Sequence, residues 1–213
     1  MSKKIGIIHY DIGNLMSVEQ AFSHLKADYK FVRTPEEIES CEKLVLPGVG
    51  AFTGCVNELK KRHLWEAIAT QVKKEIPLFG ICVGMQMLFD GSEEFGNSEG
   101  FGFIPGMVKA IPNKTTAGES QKIPHIAWTG LQKPKETNWK NTFLENVPEN
   151  SDVYFVHSYT GHPSDESHRL ADAHYGGHRL SACVRKEHIF GTQFHPEKSG
   201  EVGLKVIDAF IKL

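Results

Sequence analysis

The sequence predicts an α/β protein built on an open, largely parallel mixed sheet with helices on both faces and antiparallel strands added in its second half. Three observations carry this. Short apolar runs, such as Ile5-Gly6-Ile7-Ile8 and Lys43-Leu44-Val45-Leu46, alternate with stretches of helical periodicity, as parallel strands joined by crossover helices require. After Phe89 the pattern gives way to short β-type segments separated by turn residues. With 213 residues, the chain can bury both faces of such a sheet as one domain over 1–213.

The first strand, Ile5 to Ile8, leads through His9 to Gly13 into a helix with Asn14 at its cap position and Leu15, Val18, Phe22 and Leu25 on its buried face. Tyr29 to Val32 is the second strand. Thr34-Pro35-Glu36-Glu37 then starts a brief helix, with threonine as cap, proline in the first turn and acids facing the dipole. Lys43 to Leu46 is the third strand, and helical spacing fills much of Thr53 to Lys74. A fourth strand, Ile76 to Phe79, breaks through Gly80-Ile81-Cys82-Val83-Gly84 into a helix expected to carry Met85, Leu88 and Phe89. Asp90 to Asn97 is polar and glycine-rich, and its adjacent acids Glu93 and Glu94 read as a solvated face. Phe101 to Ile111, Ile123 to Leu131, Val153 to Ser158, Ala182 to Arg185 and Ile189 to Phe194 are expected as strands. Lys114 to Gln121 and Gly161 to Gly177 are expected as polar loops, and a last helix buries Val202, Val206, Ile207 and Phe210.

Composition excludes several classes of function. A formal net charge of -2, with lysines scattered, offers no footprint for nucleic acid. The apolar run near the start is too short for a signal sequence or a membrane span, so a cytoplasmic protein is expected. Four cysteines, at 41, 55, 82 and 183, share no metal-ligand spacing and are expected to remain thiols. His162, His168, His174 and His178 fall in one polar stretch without a partner cysteine, which fits solvated loop histidines better than a metal site. Neither metal nor cofactor is expected.

The chemistry concentrates at Gly80-x-Cys82-x-Gly84, the sulfur counterpart of a G-x-S-x-G elbow. Glycines on both sides permit a strand-to-helix turn sharp enough to push the cysteine side chain out at the strand's carboxyl end. An oxygen anion forming beside the sulfur would meet the Val83 N–H. Gly48-Val49-Gly50, leaving the third strand at the same rim, can aim further backbone amides there. In His195-Pro196-Glu197 an extended segment would place imidazole and carboxylate on one face, with the carboxylate holding one ring nitrogen and the other free for a nucleophile.

Together these pieces resemble the class I, or triad, glutamine amidotransferases, whose fold is flavodoxin-like. The likeness rests on Tyr10-Asp-Ile-Gly-Asn14, Leu46 to Phe52, Gly80 to Gln86, Tyr154 to Tyr159 and Gly191 to Ser199. Within the family it leans to the glutaminase subunits of imidazole glycerol phosphate synthases. The resemblance implies Cys82, His195 and Glu197 as the triad, and Gln86, Glu94, Ser158 and Tyr159 as the residues gripping the amino-acid end of L-glutamine. It also implies a separate (β/α)8 barrel synthase as partner in a heterodimer, fed with ammonia through a sheltered channel and faced by Asn14, Trp128 and Lys198. One departure stands out. After Pro124-His125-Ile126 the family usually continues glycine, tryptophan, asparagine, whereas this chain has Ala127, Trp128 and Thr129. That difference leaves open a paralogue serving another barrel, such as one making amidino groups on sugars.

Overall fold

The apolar runs of the first half form four neighbouring strands that make up one side of a seven-stranded sheet, with Tyr29–Val32 at its edge, in the computed structural model, which describes residues 4–135 and 137–213. β1 (Ile5–Ile8), β2 (Tyr29–Val32), β3 (Lys43–Gly48) and β4 (Leu78–Cys82) lie parallel in the order β2, β1, β3, β4. Every residue of β1, β3 and β4 is buried, which is why these strands run apolar instead of alternating. The crossovers are α1 (Leu15–His24), α2 (Pro35–Glu39) and the pair α3 (Phe52–Lys61) and α4 (Leu64–Lys73). The Thr34 hydroxyl accepts from the Glu37 N–H and caps α2 as expected. Asn14 occupies the cap position of α1, but its side chain makes no capping bond.

The fourth strand starts and ends later than expected, at Leu78–Cys82 instead of Ile76 to Phe79, and two helical stretches also differ. The helical stretch 53–74 is broken at His63, whose φ of 59° ends α3 and turns the chain into α4. The helix after Cys82 is a single turn, α5 (Val83–Gln86), and Phe89 opens strand β5 (Phe89–Ser92). The carbonyls of Met87, Phe89 and Asp90 accept from the N–H groups of Phe101, Gly102 and Gly100, so pairing with a distant segment overrides the helical spacing of Met85, Leu88 and Phe89.

The second half adds β6 (Ser98–Glu99), β7 (Ile104–Ala110), the pair β8 (His125–Gly130) and β9 (Asp152–His157), then β10 (Tyr159–Pro163), β11 (Arg169–Tyr175), β12 (His178–Lys186) and β13 (Ile189–Thr192). A four-stranded sheet runs β10, β7, β5, β6, while β11, β12 and β13 extend the main sheet beside β4. The segment 161–177 is therefore not a loop. It holds most of β10 and all of β11, and its polar look is misleading because Arg169 and Asp172 are buried and paired. Arg169 Nη1 donates to Asp172 Oδ1 at 3.2 Å and to Ser181 Oγ at 2.6 Å, and Arg179 Nε donates to Asp172 Oδ2 at 2.7 Å. His162, at an outward position on β10, and His174, at one on β11, are exposed.

Helix α6 (Gly200–Lys212) packs back on the sheet, where the fully buried Lys43 donates through Nζ to the Phe210 and Ile211 carbonyls near its end. β13 runs parallel to β4, with Thr192 opposite Ile81, so both chains leave the sheet at the same rim. That register brings residues 193–197 beside Cys82.

Candidate active site

Cys82 is the last residue of β4, with φ 56° and ψ -112°, a backbone state that ordinary side chains rarely adopt. The glycines explain how the turn fits. A Cβ at Gly80 would come 2.6 Å from the Gly84 carbonyl oxygen, and one at Gly84 would overlap the Leu46 carbonyl oxygen of β3. The sulfur therefore sits over the rim with the Val83 N–H beside it, at the start of a one-turn helix that leaves that donor free of intrahelical bonding.

His195 follows β13, its main-chain N–H held by the Tyr154 carbonyl and its own carbonyl by the Ser199 hydroxyl. Its Nδ1 lies 2.7 Å from Glu197 Oε1. Contrary to expectation the segment is not extended through Glu197: Pro196–Lys198 forms a 3-10 turn, and the two side chains meet across it. Glu197 Oε2 is buried without a hydrogen-bond partner among the described residues, so the carboxylate's one such contact is the ring. Burial pulls the His195 pKa down, but the Cys82 sulfur and the Glu197 carboxylate together outweigh it and hold the imidazole up at about 10. The ring is thus set between sulfur and carboxylate in its charged form.

A cavity of about 300 Å³ opens over these groups, small enough for one amino acid. Its walls include Val49, Gly50, Cys82, Val83, Gln86, Glu94, Ser158, Tyr159 and His195, so the expected triad, oxyanion and glutamine-gripping residues meet there with two exceptions. Glu197 lies behind His195. Gly48 lies beneath the turn, where a Cβ would come 2.7 Å from the Gly84 nitrogen.

The turn itself is tied down by two residues with no role expected from the sequence, Tyr10 at the start of the motif Tyr10 to Asn14 and Cys55 outside any motif. The Tyr10 hydroxyl donates to the Pro47 carbonyl at 2.7 Å, and the Cys55 thiol donates to the Val49 carbonyl at 3.5 Å. Burial raises both groups, Cys55 to about 11, which keeps them protonated as donors. Since the Val49 carbonyl points to Cys55, the N–H of Gly50 in the same planar peptide points the opposite way. Gly50 holds φ 85° with open space around it. Glu94 is not solvated: its Oε2 accepts the Phe52 N–H at 2.7 Å, joining the start of α3 to the cavity wall. His157 and Gln193 fall within the motifs Tyr154 to Tyr159 and Gly191 to Ser199 but carried no expected role.

Asn14, Trp128 and Lys198 lie outside the cavity. Trp128 is 55% exposed on β8 beside an exposed Ile126, and its ring centroid is 6.0 Å from that of Tyr154, the residue whose carbonyl holds His195. Lys198 is exposed next to Glu197. Ala127 and Thr129 alternate with Trp128 along the strand and turn to its other face. No helix among the described residues is long and apolar enough to cross a membrane.

The sequence profile of the glutamine amidotransferase class-I family matches residues 7–212. Imidazole glycerol phosphate synthase subunit HisH 1 of Legionella pneumophila (strain Lens) is 46% identical over 210 residues, covering 98% of this chain and 99% of that protein. Subunit HisH of Lactococcus lactis is 44% identical and covers 99% of this chain and 98% of the relative. Among solved structures, one described as a glutamine amidotransferase superposes with a TM-score of 0.72 at 18% identity over 97% of both chains, a likeness of fold. The chain belongs to the class I glutamine amidotransferases.

Proposed function

We propose that the whole chain works as the glutaminase subunit of an imidazole glycerol phosphate synthase in histidine biosynthesis, releasing ammonia from L-glutamine for a (β/α)8 barrel synthase. The observation that carries the mechanism is His195, bonded to Glu197 through Nδ1 and facing the same cavity as Cys82. The Cys82 thiolate attacks the side-chain amide carbon of glutamine, forming a C–S bond as the carbonyl electron pair moves to oxygen. The Val83 N–H and the Gly48 to Gly50 turn receive that oxyanion. Collapse expels ammonia with a proton from the His195 imidazolium, leaving a γ-glutamyl thioester. Neutral His195 then takes a proton from water, which attacks the thioester; the C–S bond breaks and glutamate departs. Glu197 keeps the ring oriented through both steps.

Gln86, Glu94, Ser158 and Tyr159 line the same cavity and hold the substrate's ammonium and carboxylate. One Glu94 oxygen is committed to the Phe52 N–H, which fixes the carboxylate while the other oxygen serves the ammonium. Asn14, Trp128 and Lys198 face the barrel, and ammonia passes between the subunits before water can protonate it. In a complex with the barrel subunit, Cys82→Ala abolishes glutamine-dependent synthesis while ammonium salts still support it. Glutamine hydrolysis persisting in that variant would refute the assignment.

A further inference from the structure

We propose that Gln193 is the donor that steadies the Cys82 sulfur, its orientation set through Gln86 by the Tyr159 carbonyl, which a second buried hydrogen-bond arm reaching in from Thr129 holds in place. This rests on Cys82 being the nucleophile, and it adds positioning residues to the reaction. Gln193 is fully buried, and its Nε2 lies 3.8 Å from the Cys82 sulfur.

One backbone carbonyl determines every proton along the chain. The Tyr159 oxygen can only accept, and it receives His157 Nδ1 at 2.8 Å and Gln86 Nε2 at 3.1 Å. Gln86 therefore presents its NH2 group, whose second contact is Gln193 Oε1 at 3.1 Å. With its oxygen spent there, Gln193 turns its own NH2 to the sulfur. On the other arm, a His157 ring protonated at Nδ1 and otherwise neutral must accept at Nε2. The donor is His125 Nδ1 at 3.0 Å. His125 Nε2 then accepts from the Thr129 hydroxyl at 3.0 Å. Burial holds His125 down at about 4 and His157 at about 3, which keeps both rings neutral and this direction of donation the only one available.

The chain thus runs from the inner face of β8, behind exposed Trp128, to the reacting sulfur. Thr129 thereby gains a purpose, because a hydroxyl at this position completes the outermost bond, as an amide donor could. Gln193 does not line the cavity, so it acts on the sulfur and not on the bound amino acid.

The test is the pH dependence of Cys82 alkylation by iodoacetamide, read from the mass of its peptide in the full chain. Titratable groups around the sulfur are His195 with Glu197, Tyr10 after β1, Cys55 on α3, Glu94, and His157 on β9. None of the three substitutions below replaces any of them. Gln193→Met keeps the volume and removes the donor; it raises the alkylation midpoint by about one pH unit. In the complex it lowers kcat for glutamine hydrolysis roughly tenfold with KM little changed. Thr129→Val shifts the midpoint the same way by less, and Thr129→Ser restores it. An unchanged midpoint in folded Gln193→Met overturns the proposal. Should that variant not fold, Thr129→Val decides, and a midpoint equal to that of Thr129→Ser overturns it. Because alkylation needs no glutamine, a failed chain and a wrong substrate give different results.

Discussion

The two halves of the molecule reach the same rim by different physics. Residues 5–86 carry a buried, largely apolar parallel sheet whose strands approach so closely that the elbow fits only without a Cβ at Gly80 and Gly84. Residues 89–195 are held by buried polar groups: Arg169 with Asp172, His125 with His157, and Gln86 with Gln193 across the join. The first half shapes a nucleophile by steric exclusion. The second places donors and charges around it, where direction matters more than volume. A glutaminase needs both, because a strained thiol without oriented partners has no ring to exchange protons with.

The sharpest way to break this contrast is at Gly84. Gly84→Ala drives a methyl group into the Leu46 carbonyl, which belongs to rigid β3 backbone. A loss of about 4 kcal/mol or more is expected in urea unfolding, with no dependence on salt or pH. A loss under about 1 kcal/mol would mean that the elbow can yield. The matching change in the second half is Asp172→Ala, which removes the buried carboxylate beside Arg169 and leaves it Ser181 and the largely exposed Glu166 at 3.3 Å. It is expected to cost about 3 kcal/mol, with the loss concentrated in β11 and β12 by hydrogen exchange. Uniform loss over the whole sheet would erase the distinction between the halves.

Acidification sharpens the contrast further. Below about pH 6.5 the unfolded chain protonates His125 and His157, while the fold holds them neutral down to about 4 and about 3. The unfolded state then binds more protons, so stability falls as pH drops from about 6.5 toward about 4. His195 has the opposite sign: its contribution is complete below about 6.5 and is lost as pH rises through about 10. Between about pH 7 and about pH 5 the paired histidines lose roughly 4 kcal/mol and His195 returns roughly 1, so a net decline of roughly 3 kcal/mol is expected from urea midpoints. A flat profile would place the paired histidines in contact with water.

The same contrast governs what the sequence revealed. β1 and β2 fall on their expected bounds, and the motif at Cys82 marks the elbow, because burial on both faces and a glycine-only turn leave local signatures. Cys82, His195 and Gln86 could be placed by motif. The buried partners could not. Arg169, Asp172 and Glu94 read as solvated because a charge looks alike in sequence whether or not a distant residue pairs with it. His125 and His157 are separated by 32 positions, and only the antiparallel register of β8 with β9 makes them neighbours. The short reach of α5 was hidden for a related reason, since the strand that replaces its continuation is stabilised by main-chain partners at residues 100–102.

Cys82 keeps a φ of 56°, a geometry that only glycine tolerates comfortably and that costs other residues about 1–3 kcal/mol. Durability and turnover therefore pull this position in opposite directions. A lineage released from the need for ammonia would gain resilience by trading its sulfur for a hydrogen atom, so a glycine here in an otherwise intact chain would mark a subunit that has stopped working while becoming harder to unfold.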